Sequence, residues 1–267
     1  MRHIESSDGT LIAVEEVGDG PVVLLLPGAM NDRGRLLPLA SALAARGLRG
    51  VAVDRRARGE STDATPGLAG AVEREVADVR ALVSDLGPGV TLLGYSSGGI
   101  LALAAALDGV PVARLVVLEA PVVVPGAPAR DATIGTTLDE LVSSGEHGAA
   151  VELYQSRVVG LPPQALSGQR EQPWWPALEA IAPSLVYDWA VTDRHPDPTA
   201  LSSLDVPTLV LRADETWPVL AASADALAAA IPRASLTLVA GRDHAPDPEA
   251  VAAAVAAFVG SADGDAG

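Results

Sequence analysis

The sequence has no cysteine and no lysine, and only four Trp, three Tyr and one Phe among its 267 residues. Without cysteine there are no disulfides, no thiolate zinc sites and no cysteine nucleophile. Without lysine, all 18 basic residues are arginine. Together with the abundance of Ala, Gly, Pro and Asp, this points to GC-rich coding, a property of the genome and not of the chemistry. Positive charge is scarce as well: 18 basic residues face 34 acidic ones, for a net charge of −16. That balance argues against DNA, RNA or anionic membranes as partners. Its simplest meaning is solubility, with a mild repulsion of anionic substrates. No run reaches the ~18 apolar residues of a membrane span. The opening stretch, Met1–Asp8, lacks the apolar segment of a signal peptide. A cytoplasmic protein is the default expectation. No internal repeat is visible.

What the chain does have is apolar bulk. Hydrophobic residues make up 49% of it, enough for a large core at this length. Short apolar strands alternate with Ala/Leu-rich helices, the pattern of a mostly parallel sheet covered on both faces. Strands are expected at residues 10–17, 22–26, 51–54, 90–93, 114–118, 208–212 and 236–239, the first of them antiparallel at an edge. Helices are expected at residues 33–47, 69–86, 97–107, 219–230 and 248–259. In the second helix Glu73, Arg74, Glu75 and Asp78 are assigned to the solvent side. Between Ala120 and Asp205 prolines break the alternation, and short helices fit at residues 139–145, 148–158 and 175–181. Tyr154, Trp174, Trp175, Tyr187 and Trp189 all lie in this stretch. They suit a pocket wall for an apolar substrate, or the stretch's own core, or both.

The most informative segment is Leu92-Leu93-Gly94-Tyr95-Ser96-Ser97-Gly98-Gly99-Ile100. It reads as strand, sharp turn and helix, with the G-x-S-x-G pattern at the turn. A nucleophile on so tight a bend needs small residues two positions to either side. The following helix aims its N-terminal N–H groups and positive dipole end at the serine, where they suit a developing oxyanion. A serine needs an imidazole to accept its proton. Of His3, His147, His195 and His244, only His244 follows a terminal strand.

These features, in this order, resemble the α/β-hydrolase superfamily along almost the whole chain. The loop Pro27-Gly28-Ala29-Met30 sits where the family completes its oxyanion hole, although Pro27 replaces the usual histidine. The run Asp54-Arg55-Arg56-Ala57-Arg58-Gly59-Glu60-Ser61 looks like the family's D-x-R-G-x-G-x-S turn, with Ala57 in place of the first glycine. The resemblance implies an eight-stranded, mostly parallel sheet with helices on both faces. It also implies a helical cap after the sixth strand. The division is then a core of residues 1–120 and 205–260, a cap of 121–204 and a flexible tail of 261–267. Ser96 is the implied nucleophile and His244 the base, with the N–H groups of Ala29 and Ser97 as the oxyanion hole. Gly28, Met30, Tyr95, Trp174 and Trp175 are expected to contact the substrate.

The acid that orients His244 is open between two places. The family usually carries it in the loop after the strand at 208–212, in register with Thr216, where Asp214 and Glu215 are close but shifted. The other place is the end of the sixth strand, where Glu119 closes an apolar run 23 residues after Ser96. A carboxylate there is costly unless paired, and haloalkane dehalogenases put a catalytic Glu at this strand end. Glu119 is preferred, with Asp214 the runner-up. A serine at the elbow argues against epoxide hydrolase and dehalogenase chemistry, which need an aspartate. The expected activity is hydrolysis of an ester, lactone or thioester of a small to medium apolar substrate. Alternatives on the same residues are a cofactor-free perhydrolase or haloperoxidase-like enzyme, or a biosynthetic cyclase or lyase. A non-catalytic ligand receptor is a more distant one. No cofactor and no metal are expected. The partner is a small-molecule substrate, with no nucleic acid and no membrane, and the protein is expected as a monomer or homodimer.

Overall fold

The computed structural model describes residues 1–122, 131–194 and 196–263. Nine strands form one sheet: β1 (Arg2–Glu5), β2 (Leu11–Val17), β3 (Val22–Leu26), β4 (Arg49–Val53), β5 (Thr91–Tyr95), β6 (Arg114–Leu118), β7 (Thr208–Thr216), β8 (Ala234–Asp243) and β9 (Ala245–Pro246). Their order across the sheet is β1-β2-β4-β3-β5-β6-β7-β8-β9. The pairs from β4 through β3, β5, β6 and β7 to β8 are parallel. The pairs β1–β2, β2–β4 and β8–β9 are antiparallel. The fold is the expected one, but β1 takes the edge expected for residues 10–17, so that β2 lies between β1 and β4, and a ninth strand, β9, ends the opposite edge. That strand is two residues long and ends in Pro246, which has no N–H to donate. Such a strand is confined to an edge and carries no readable alternation.

Buried continuous runs such as Val22–Leu26 form the central strands because both faces are covered. The first three helices are α1 (Leu37–Ala44), α2 (Ala71–Leu86) and α3 (Ser97–Leu107). Alternate strand residues point to opposite sides. Leu24 and Leu26 pack with α2 and α3. Val23 and Leu25 pack with α1 and with the last helix, which contributes Val251, Val255 and Val259. The helix expected over 33–47 is split. A 3-10 turn, Arg33–Arg35, is capped by the Asp32 carboxylate, which accepts from Gly34 N–H at 2.8 Å, and α1 starts afresh at Leu37. Pro38 explains the break, since its ring is tolerated only in a helix's first turn.

The expectation for the charges of α2 is corrected. Glu73 faces outward, but Glu75 and Asp78 are buried. Each meets a buried arginine from the loop after β4: Glu75 binds Arg55 and Asp78 binds Arg56. Glu75 shares the helix face of Val79 and Leu82, and Asp78 lies at the margin of that face, so the spacing itself carries them inward. It cannot show that arginines from elsewhere come to meet them there.

Between β6 and β7 the chain forms α4 (Thr133–Ser143), α5 (His147–Tyr154), α6 (Pro163–Leu166), α7 (Trp175–Ile181), α8 (Leu185–Asp193) and α9 (Pro198–Leu201). A π-helical stretch, Gln155–Val159, extends α5. Helix α4 begins six residues earlier than expected, where Asp131 accepts hydrogen bonds from both the N–H and the hydroxyl of Thr133. Helix α8 has no counterpart among the expected elements. Its Val, Tyr, Trp and Thr are weak helix formers, and it is held by packing instead. The insert has its own apolar cluster, containing Ile134, Leu138, Tyr154, Trp175, Leu185 and Trp189. Met30 and Leu68 of the sheet region pack against it. After the insert come α10 (Pro218–Ala230) and α11 (Pro248–Asp263), the latter running four residues past the expected end. His195, Pro125, Pro128 and residues 264–267 of the expected tail lie outside the described residues. Among the described residues, no helix is long and apolar enough to cross a membrane.

Candidate active site

Ser96 stands between the end of β5 and the start of α3, with φ 55° and ψ −123°. The bend brings backbone so close that a Cβ on Gly94 would lie 2.1 Å from the Gly98 carbonyl oxygen. A Cβ on Gly98 would lie 2.4 Å from the Leu26 carbonyl oxygen. Only glycine fits at either position. The turn is held by Ser96 N–H donating to Leu118 O at 2.9 Å and by Gly99 N–H donating to Ser96 O at 2.8 Å. Strain gathers around this point. Of the five non-glycine residues with positive φ among those described, Met30, Ser96, Glu119 and Asp243 flank or belong to the site. Such conformations cost about 1–3 kcal/mol each, and they persist where the surroundings over-determine them.

Glu119, with φ 50°, turns inward just past β6, and its side chain is completely buried. Its Oε1 accepts from Ala213 N–H at 2.9 Å. Its Oε2 lies 2.7 Å from His244 Nδ1, and His244 Nε2 lies 2.9 Å from Ser96 Oγ. An ionised carboxylate can only accept, so Nδ1 carries the proton and Nε2 is left to accept from the serine hydroxyl. Burial pushes the Glu119 carboxyl up. The hydrogen bonds from His244 and from Ala213 N–H outweigh it, and the group sits below the ordinary glutamate value. Thr216, at the family's usual acid position, lies beside Glu119 and offers no carboxylate.

His244 follows β8 directly and is fixed from both ends. The Tyr95 hydroxyl donates to its backbone carbonyl, and the Tyr95 ring stacks on the imidazole at 4.9 Å. Burial raises the Tyr95 phenol, which therefore stays protonated and a donor. The Trp217 ring lies 5.5 Å from the imidazole.

The structure brings Ser96, His244 and Glu119 together, and Asp214 stays apart. The Asp214 carboxylate accepts from the N–H groups of Gly241 and Glu215 at the exposed ends of β7 and β8, which run past the expected strands, and Glu215 pairs with Arg242 at 3.2 Å. His3 contacts the Glu60 carbonyl, and His147 opens α5, both away from this group.

A cavity of about 720 Å³ opens above Ser96. Ala29, Met30, Tyr95, Ser97 and His244 line it, as do Ile134, Tyr154 and Val158 of the insert. Ser97 is the first residue of α3, so its N–H has no acceptor within the helix. Gly28 lies behind the serine: a Cβ there would meet Ser96 Cβ at 2.8 Å, so its role is close approach rather than substrate contact. Trp174 and Trp175 do not reach the cavity wall. Trp175 is buried in the insert's apolar cluster with Arg170 over its ring at 5.7 Å, and Trp174 is 47% exposed. The tryptophan in the wall is instead Trp217, which with Val159 and Val219 forms an exposed apolar rim. Trp217 stands one residue past Thr216, in the β7 loop, and that neighbourhood was the signal available for it. Among the described residues, no group of three or more His, Asp or Glu is placed to hold a metal ion.

A serine on a strand-to-helix turn, at the C-terminal edge of a mostly parallel sheet with a helical insert above it, defines a hydrolase of the α/β type. The model of the alpha/beta hydrolase family matches residues 23–254, and the chain belongs to that family. The crystal structure of an alpha/beta hydrolase from Sphaerobacter thermophilus is 36% identical, covers 96% of this chain and 99% of its own, and superposes with a TM-score of 0.85. An esterase from Exiguobacterium antarcticum is 21% identical over 97% of this chain and 99% of its own, at a TM-score of 0.72. A hydrolase from Pseudomonas aeruginosa is 22% identical over 97% of both chains, also at 0.72. At those lower identities the likeness is one of fold.

Proposed function

We propose that this protein is a serine hydrolase that cleaves a carboxylic ester, lactone or thioester of a small to medium apolar substrate through an acyl-enzyme. The observation that carries the reading is the unbroken hydrogen-bond path Glu119–His244–Ser96, at 2.7 and 2.9 Å, ending in an apolar-walled cavity. Ser96 Oγ attacks the carbonyl carbon while His244 Nε2 takes its proton. Glu119 holds the imidazole in the required tautomer and stabilises its charged form. The N–H groups of Ala29 and Ser97 receive the oxyanion, where preorganised donors act most strongly. His244 returns its proton to the leaving oxygen or sulfur, then activates water against the acyl-enzyme. The released acid and the free serine close the cycle.

The walls support an apolar acyl or alkyl group. Ile134, Val158, Val219 and Leu220 are among the residues that line the cavity, and its Arg157 and Asp131 are paired to each other at 3.0 Å. The test combines a fluorophosphonate probe with a series of p-nitrophenyl esters of graded acyl length, lactones and thioesters. Labelling on Ser96, abolished in Ser96→Ala, together with turnover of at least one series, is the expected result. A label mapped to Ser97, or no label and no turnover, would overturn the reading.

A further inference from the structure

Beneath the cavity lies a buried cluster of charges that the reaction above does not use. Arg55, Arg58, Glu75, Ser97 and Asp188 are each no more than 3% exposed. Asp188 comes from α8 of the insert, and the arginines come from the loop after β4. Its Oδ1 accepts from Arg55 Nη1 at 2.9 Å, from Arg58 Nη2 at 3.3 Å and from Ser97 Oγ at 3.1 Å. Its Oδ2 accepts from Met30 N–H at 3.4 Å. Arg58 Nη1 donates to the carbonyls of Gly28 and Asn31, each at 3.2 Å. Arg55 Nη1 donates to Pro27 O at 3.2 Å and to Ser97 Oγ at 3.0 Å, while Glu75 takes the rest of its guanidinium. Burial pushes the Asp188 carboxyl up, but Arg58, Arg55 and Ser97 together hold it below its ordinary value.

We infer that Arg58 and Asp188 are positioning residues that aim both N–H donors of the oxyanion hole, so that a carboxylate of the helical insert controls transition-state binding in the core. The inference rests on the serine-hydrolase reading. The peptide joining Gly28 to Ala29 is planar and trans, so its C=O and N–H point to opposite sides. The guanidinium that grips Gly28 O therefore fixes the direction of Ala29 N–H. It also polarises that peptide and strengthens the donor. Without the grip the peptide is free to rotate and turn its carbonyl toward the hole. The next residue, Met30, is held at φ 57°, a strained conformation whose N–H is tied to Asp188. The second donor is on Ser97, whose hydroxyl is clamped between Arg55 and the same Asp188.

The test uses three variants of the whole protein. Wild type must first label with the fluorophosphonate and turn over an ester. If it does not, the serine-hydrolase reading fails and the clamp falls with it. That failure is distinct from one in which the wild type is active and the variants keep its rate. Asp188→Asn alone leaves Arg58 buried without its carboxylate. The double variant Arg58→Met with Asp188→Asn keeps the buried charge balanced, Arg55 against Glu75, and separates folding from function. Ser97→Ala removes one hydroxyl only.

Deleting a whole oxyanion donor costs about 10²–10³ in kcat, so loosening one is expected to cost the double variant about 10–100-fold. Ser97→Ala is expected to fall by less, in the same direction. KM should stay within about threefold, because the lost interaction forms with the oxyanion. The inhibition constant of a trifluoromethyl ketone, whose adduct carries the oxyanion, should rise by the factor by which kcat/KM falls. The midpoint of the pH profile should not move, since His244 and Glu119 are untouched. Wild-type kcat and ketone affinity in the folded double variant would sink the inference. So would losses carried by KM alone, or an unfolded double variant combined with a fully active Ser97→Ala.

Discussion

Replacing Glu119 by Gln changes one atom at the centre of the proposed mechanism, and its consequence can be worked out from the contacts. The Glu119 carboxylate has two acceptor oxygens, both occupied: Oε1 by Ala213 N–H and Oε2 by His244 Nδ1. Glutamine has one acceptor and one donor end. The Ala213 N–H is buried and must keep an acceptor, so the amide oxygen turns to it and the NH₂ faces Nδ1. Nδ1 then has to accept, the imidazole proton moves to Nε2, and Nε2 donates toward Ser96 Oγ. In that tautomer His244 cannot take the serine proton. The corresponding change in the best-studied triad lowers kcat about 10⁴-fold, or about 5 kcal/mol of activation free energy. KM should change little. Stability should fall only modestly, because the buried Ala213 N–H keeps its acceptor. Glu119→Ala is the contrast, since it strands the Ala213 N–H at about 1–3 kcal/mol. The assay is steady-state hydrolysis of the best p-nitrophenyl ester, with melting temperature as control. Asp214→Asn, whose Oδ1 can still accept from the Gly241 and Glu215 N–H groups, should stay within about tenfold of wild type. A Glu119→Gln enzyme of near-normal kcat, beside a folded but crippled Asp214→Asn, would refute the reasoning and move the acid to the end of β7.

Burial and charge set the other expectations. Trp175→Ala should cost about 3–5 kcal/mol through the cavity it leaves in the insert's cluster, lowering the melting temperature by of order 10 °C in calorimetry. Trp174→Ala should stay within about 0.5 kcal/mol. Trp217→Ala should raise KM for bulky apolar acyl groups by about fivefold, a loss near 1 kcal/mol of apolar contact, with acetate much less affected. Equal loss on all esters would remove Trp217 from the specificity wall. Stability should also fall in acid. Glu119 and Asp188 lie below their ordinary values of 4.5 and 3.8 in the folded state. Their contribution is complete above those values and disappears as pH falls toward the lowered folded ones. Asp188→Asn should flatten the acid limb of a melting-temperature profile, and an unchanged limb would contradict the assignment.

What the sequence determined by itself is the local and the ordered. The G-x-S-x-G turn was legible because the backbone approach at Gly94 and Gly98 admits only glycine, a constraint carried within five residues. The alternation of strands and helices was legible because burial on both faces demands apolar runs. His244 stood out by chain order, and Glu119 by the cost of a lone carboxylate at the end of an apolar strand. Tertiary structure alone decided which charges meet. Glu75 and Asp78 are charged positions of a helix, and no local pattern shows that arginines from 20 and 22 residues upstream meet them in the interior. Asp188 lies 91 residues from Ser97 and 130 from Arg58 in a helix with weak propensity. No local pattern marks it. The tryptophans make the same point. Composition placed Trp174 and Trp175 in the right segment, but only packing put one in a core and the other in solvent, and gave the cavity wall to Trp217. Propensity and periodicity act over a turn or two of chain. Ion pairing and cavity shape depend on which segments arrive together, and that is a property of the fold as a whole.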